Sequence, residues 1–313
     1  MADDAKGSRL SLLGLAAIRL ASTEKRCNAH TQRPKPLRAA AAHPTRRLWP
    51  LKASMRLLTE PRILESKVGA SWLSEGFRLF HQQPLGWTLI LFIYWAAMLM
   101  AAFIPIFGLV LPLLLTPGLS MGFIEISRAI DRREPPRPPL LIAAFRTAQV
   151  RSVLLLGAWY VLEITVIMLV SYLIDDGALI EWITMGQVPK PEQIPAVQTS
   201  GIVAFILYIP VMMAFWFAPQ LVVWSGFTPV KALFYSFFAV WRNKGAFTRY
   251  AITWIGLTLF VGIAMALLNE IIEMKPSTVT AFLFPITLIL MAVAHGSFYA
   301  STKAVFGPEE ESA

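Results

Sequence analysis

Six long apolar runs decide most of what this chain can be: Trp87–Ile104, Phe107–Ile126, Val153–Ile174, Ile202–Trp224, Tyr250–Leu268 and Val279–Ala300. A helix of about 20 apolar residues crosses a hydrocarbon core of roughly 30 Å. Lipid offers no hydrogen-bond partners to the backbone, so such runs are satisfied as helices. The expected fold is therefore all-α, a polytopic bundle of about six transmembrane helices with interfacial amphipathic helices. Composition agrees: 56% of residues are hydrophobic and 15% charged, with a mean hydropathy of +0.58. A soluble domain carries about a quarter of its residues as charges.

The first two runs are joined by a turn around Pro105 and Gly108. Pro112 and Pro117 fall inside the second run, and Pro210 and Pro219 inside the fourth. Neighbouring helices can satisfy the carbonyls these prolines free, so kinks are predicted there.

A net charge of +9 invites a nucleic-acid reading, and its distribution removes it. Residues 1–54 hold 11 Lys and Arg against three Asp and Glu, a net of +8. The remaining chain is close to neutral. The N-terminal segment reads as a basic extension, disordered by composition, with Met55 a candidate natural start. Its apolar stretch Leu10–Ala21 is broken by Arg19 and fits a secretory signal poorly; an Arg-rich organelle leader is the alternative. The single cysteine, Cys27, lies here, so no disulfide framework can form within one chain. Residues 55–303 read as the transmembrane domain and 304–313 as a short acidic tail.

Orientation follows from the connectors. Those of residues 55–86, 127–152 and 225–249, with Lys303, carry 15 basic residues, whereas the opposite side carries only Lys190 and Lys275. The positive-inside rule then places both termini in the cytoplasm of a cell whose inner membrane holds the protein. Trp87, Tyr172, Trp182, Trp224, Tyr250 and Tyr299 lie near span ends and suit interfacial belts.

Three similar stretches precede the odd-numbered spans, at 77–83, 145–151 and 238–244. Each pairs apolar positions three apart with a polar cluster. Such segments can lie in the interface with their apolar face toward lipid. The unit would be an interfacial helix and two spans, repeated three times. Otherwise the three share only what any basic juxtamembrane helix shows.

Candidate chemistry is sparse. Gly118-Leu119-Ser120-Met121-Gly122 matches the hydrolase pattern G-x-S-x-G, which needs a strand-to-helix turn and later Asp and His partners. Here it sits in an apolar helix, and Gly118 and Gly122 also form GxxxG, which suits close helix packing. Glu163 lies in the third span at a depth of about 15 Å from its rise per residue, and His295 lies in the sixth. An intramembrane carboxylate with a partner is a functional-site hypothesis by default. The alternative is a carboxyl bonded to a neighbouring helix or lining a small wet pocket. Glu125 is expected to pair with Arg128, three residues on. No Walker loop, HExxH or dinucleotide fingerprint occurs, and the four histidines are scattered, so no cofactor or metal is implied.

From Met55 onward the layout resembles an uncharacterised family of six-helix bacterial inner-membrane proteins. Glu75-Gly-Phe-Arg-Leu-Phe80 with Gln83-Pro84, the run Leu115–Phe123, and Tyr299-Ala-Ser301 with Val305-Phe-Gly307 carry the resemblance. Ala304 departs from the acidic residue expected before that ending. More distantly, the layout is similar to the membrane domain fused to some bacterial glycerophosphodiester phosphodiesterases. The resemblance implies topology and location and supplies no catalytic residues. The function expected is a non-enzymatic membrane or envelope component with lipid as its partner; a homo-oligomer remains open. A small transporter or channel using Glu163 is the alternative, and an intramembrane hydrolase the weakest reading.

Overall fold

A computed structural model of the protein describes residues 60–104, 107–272 and 276–307, all within Lys52–Ala313, the second of the chain's two units. The basic extension over residues 1–54, with Met55 and Cys27, lies outside the described residues. So do residues 308–313 of the acidic tail.

The described residues form ten α-helices and no strand. They are α1 (Val68–Gln82), α2 (Pro84–Ala102), α3 (Phe107–Asp131), α4 (Val150–Asp175), α5 (Ala178–Met185), α6 (Ile194–Phe215), α7 (Ala218–Ser225), α8 (Pro229–Arg242), α9 (Lys244–Ile272) and α10 (Pro276–Phe306). Among the described residues six segments are long and apolar enough to cross a membrane: α2, α3, α4, α6 with α7, α9 and α10. The all-helical, six-span expectation is met.

The helices outrun the apolar runs. α3 continues through Glu125, Ser127 and Arg128 to Asp131 because these polar side chains find partners among neighbouring helices. α6 starts at Ile194, eight residues before the apolar run, with Pro195 in its first turn, where a missing N–H costs nothing. Its partner α7 is a separate helix. The chain breaks at Trp216–Phe217 and restarts with Pro219 in the first turn of α7, so Pro219 marks a break and Pro210 an interior position. α10 runs through Phe306, three residues into the stretch expected as tail. Val305 and Phe306 are buried, and Arg62 donates from its backbone to the Val305 carbonyl at 3.0 Å.

The core is gathered at one end of the bundle, the end that carries the basic connectors. Trp72 and Leu79 of α1, Trp87 and Leu91 of α2, Met121 and Ile130 of α3, Phe217 of α7 and Phe306 of α10 share one cluster. A small second cluster, Ala178, Leu179 and Val197, ties α5 to α6 at the opposite end. The far halves of α9 and α10 expose Leu259, Phe260, Leu267, Phe282 and Phe284. Exposed apolar helix surface of this length suits contact with lipid.

This placement corrects two expectations. Trp87, Trp224, Tyr250 and Tyr299 are buried in the core rather than forming belts, because the span ends at the basic end close around α1 and α7; Tyr172 and Trp182 are exposed. The three similar stretches also differ in structure. The first lies in α1 and the third ends α8, but the middle one forms only a 3₁₀ turn, Ala144–Arg146, before α4. Upstream, Pro138 and Pro139 open a separate 3₁₀ helix, Pro138–Ile142.

Candidate functional site

Glu163 sits 13 residues from Val150 and 12 from Asp175, near the middle of α4. It is half-buried and lines an open groove of about 510 Å³ between α4, α6 and α8. Trp159, one turn earlier on α4, shares that wall. Pro210 of α6 and Phe234, Phe237 and Phe238 of α8 line the others. Proline cannot donate to the carbonyl four residues back, so Ile206 on α6 loses its usual helical donor. Among the described residues the groove is apolar apart from Glu163, and no Lys or Arg lines it.

His295 is elsewhere. It lies on α10 and packs against α3, its ring 3.8 Å from that of Phe123 and its Nδ1 2.7 Å from the Met291 carbonyl. The structure does not bring Glu163 and His295 together, since the residues around the Glu163 groove come from α4, α6 and α8.

Gly118 and Gly122 face the connector between α3 and α4 rather than another span. A side-chain carbon at Gly118 would strike the Phe145 ring, and one at Gly122 the Leu141 backbone. Ser120 on the same helix donates to the Pro117 carbonyl at 2.8 Å.

The densest polar chemistry among the described residues lies at the basic end, centred on Asp131 and Asn243, which sequence reasoning passed over. Asp131, at the end of α3, accepts from Arg78 of α1 at 2.6 Å, from the Tyr299 hydroxyl at 3.1 Å and from Lys303 at 3.4 Å. Three helices are thereby joined at one carboxylate. Arg78 also bonds Glu75, and Glu75 first, with Asp131 adding, raises the Arg78 pKa against the opposing effect of burial. Asn243, capping α8, accepts from the Leu64 amide at 2.8 Å and donates to the Arg62 and Ala239 carbonyls, both at 2.9 Å. Glu125 pairs with Arg128 at 3.4 Å, as expected, and also accepts from the Trp224 indole at 2.6 Å. For Asp131 and Asn243 the advance signal was a polar residue at a span end, which most connectors share.

At the opposite end Asp175 caps α5. It accepts from the Gly177 amide at 3.0 Å, from the Leu179 amide at 3.2 Å and from the Ser200 hydroxyl. The chain reverses there through Asp176 and Gly177, both at positive φ.

Among the described residues no group of three His, Cys, Asp or Glu is placed to hold a metal ion. The arrangement is that of a helical membrane body with a tied polar layer at one end and a groove at mid-span.

No family model and no solved structure matches the chain. A curated relative does: a probable inner membrane protein of Burkholderia thailandensis is 33% identical over 259 residues, covering 80% of this chain and 95% of the relative. With six apolar spans on a matching length, the chain belongs to the family of that protein and is a multi-pass inner-membrane protein.

Proposed function

We propose that the protein is a non-catalytic component of the inner membrane whose basic end, with both termini, faces the cytoplasm and forms a folded layer at the inner leaflet. The concentration of the core and of the polar ties at that one end carries the reading. Lys231, Arg242, Arg146 and Arg151 lie at the same end, where anionic headgroups attract basic side chains. The layout's likeness to the membrane domain fused to some bacterial glycerophosphodiester phosphodiesterases supports a membrane module rather than a hydrolase. Ser120 bonded within its own helix supports the same view.

The orientation is tested in whole cells with a membrane-impermeant maleimide, after Cys27→Ser removes the native thiol. Gln187→Cys is expected to label from outside and Arg133→Cys only after permeabilisation; the reverse pattern overturns the proposal. Ser120→Ala is expected to leave any cellular phenotype of the wild type intact.

The groove favours a second reading, a small transporter in which Glu163 binds the cargo. Glu163→Gln in proteoliposomes tests it: lost flux supports transport, and undiminished flux removes Glu163 from it.

A further inference from the structure

The other carboxylates between the helices are answered by the protein itself. Glu125 has Trp224 and Arg128, Asp131 has Arg78, Tyr299 and Lys303, and Asp175 has two amides and Ser200. Glu163 has no such partner among the described residues, although it sits at the depth where a carboxylate most needs one. Lys231 on α8 does not reach it; its ammonium rests over the Phe227 ring at 4.0 Å.

The groove that Glu163 lines mixes aliphatic side chains with aromatic rings. Trp159, Phe234, Phe237 and Phe238 share its groove. Aromatic faces attract cations, with Trp the strongest, and a carboxylate completes a site for a single positive charge. A volume of about 510 Å³ is that of a small-molecule pocket. Its apolar walls require that the charge be carried on an apolar body.

We propose that this groove binds a free lipophilic amine, with the ammonium at Glu163 and the apolar body along the α8 aromatics. An aminophospholipid fits less well. Its phosphate would enter an apolar groove that no Lys or Arg lines among the described residues, leaving the anion without a cationic partner. The proposal uses the same residue as the transport reading but needs only binding, so the two fail separately.

The test is titration calorimetry of the full chain in maltoside micelles with dodecylammonium, using dodecanol as the uncharged control. The wild type is expected to bind one dodecylammonium saturably, and Glu163→Gln to weaken it at least about tenfold, as the loss of one charge-assisted contact predicts. Glu163→Asp should recover most of that affinity. Dodecanol should bind both proteins alike and weakly. Trp159→Leu keeps the carboxylate and removes the ring, so a selective loss for dodecylammonium over dodecanol supports the site even if Glu163→Gln misfolds. Equal dodecylammonium binding by wild type and a folded Glu163→Gln overturns the proposal. So does the recovery, by native mass spectrometry, of phosphatidylethanolamine held by wild type and not by Glu163→Gln. Lost binding in Glu163→Gln without any wild-type flux would keep the amine site and dismiss transport.

Discussion

α1 and α8 are amphipathic helices of similar length, each leading into a pair of spans, and the fold places their apolar faces in opposite surroundings. α1 buries Gly69, Trp72, Leu73, Gly76 and Leu79 between α9 and α10. Its two glycines allow this: a side chain at Gly69 would overlap the Ala246 carbonyl, and one at Gly76 the Val293 carbonyl. α8 buries the small residues Ala232, Ser236 and Ala239 against its neighbours and leaves Phe234 59% and Trp241 54% exposed. An apolar stripe therefore says that a helix face avoids water, and it is silent on whether protein or lipid covers it. Glycine in the stripe indicates protein, because only backbone-to-backbone approach needs a missing Cβ. Large aromatics facing outward suit the bilayer interface.

The sharpest test exchanges the same residue type in the two helices. Trp72 is almost fully buried, with its ring 5.1 Å from Phe247 and 5.7 Å from Tyr250. Trp72→Ala is expected to cost about 4 kcal/mol, as for other buried aromatics. Trp241→Ala removes an exposed ring and should cost less than about 1 kcal/mol. Thermal melting in micelles reads both, and equal losses would mean that α1 is as peripheral as α8.

A second comparison uses glycine. Gly76→Leu forces a side chain into the α10 backbone and should destabilise by about 3 kcal/mol. Gly262 in α9 has open space around it, and Gly262→Leu should change stability by less than about 0.5 kcal/mol. Comparable melting of the two variants would dismiss the wedge of α1 between α9 and α10.

Asn243 connects the two helices, since it caps α8 and grips the backbone just before α1. Asn243→Ala leaves the Leu64 amide and the Arg62 carbonyl without their partner, for an expected loss of about 2 kcal/mol. Hydrogen exchange at residues 62–68 should quicken in this variant while α4 and α6 are unchanged. Unaltered exchange there would show that α1 is held by its apolar face alone.

These contrasts bear on how much a single chain discloses. The six spans were legible because a bilayer imposes a length that few other structures need. Their ends were less so, since α3 and α10 extend as helix wherever polar side chains such as Asp131 and Lys303 find each other. The break before Pro219 traces to proline, whereas nothing within residues 145–151 set that stretch apart from its helical counterparts. Glu163 stood out by its depth. The aromatic rings in its groove could not, because Phe234, Phe237 and Phe238 come from a helix some 70 residues on, and helix order around a bundle is not written in hydrophobic period. The same gap separates Glu163 from His295, which share a membrane without sharing a neighbourhood.

The smallest effect lies in the polar faces. On α1, Arg78 reaches Asp131 across the bundle, and Tyr299 and Lys303 converge on the same carboxylate. On α8, Lys231 and Arg242 form no ion pair among the described residues. Asp131→Asn should therefore loosen α1 from α3 and α10. The Arg78 side chain is 40% exposed, so solvent screens much of the attraction and the loss should be no more than about 1 kcal/mol. Its signature is salt. The deficit of Asp131→Asn should shrink as ionic strength rises, because the wild type loses the attraction that the variant already lacks. The deficit of Asn243→Ala, a matter of uncharged hydrogen bonds, should persist. A deficit in Asp131→Asn that ignores salt would place the importance of Asp131 in its hydrogen bond from Tyr299 rather than in its charge, and would leave the apolar wedge as the main difference between α1 and α8.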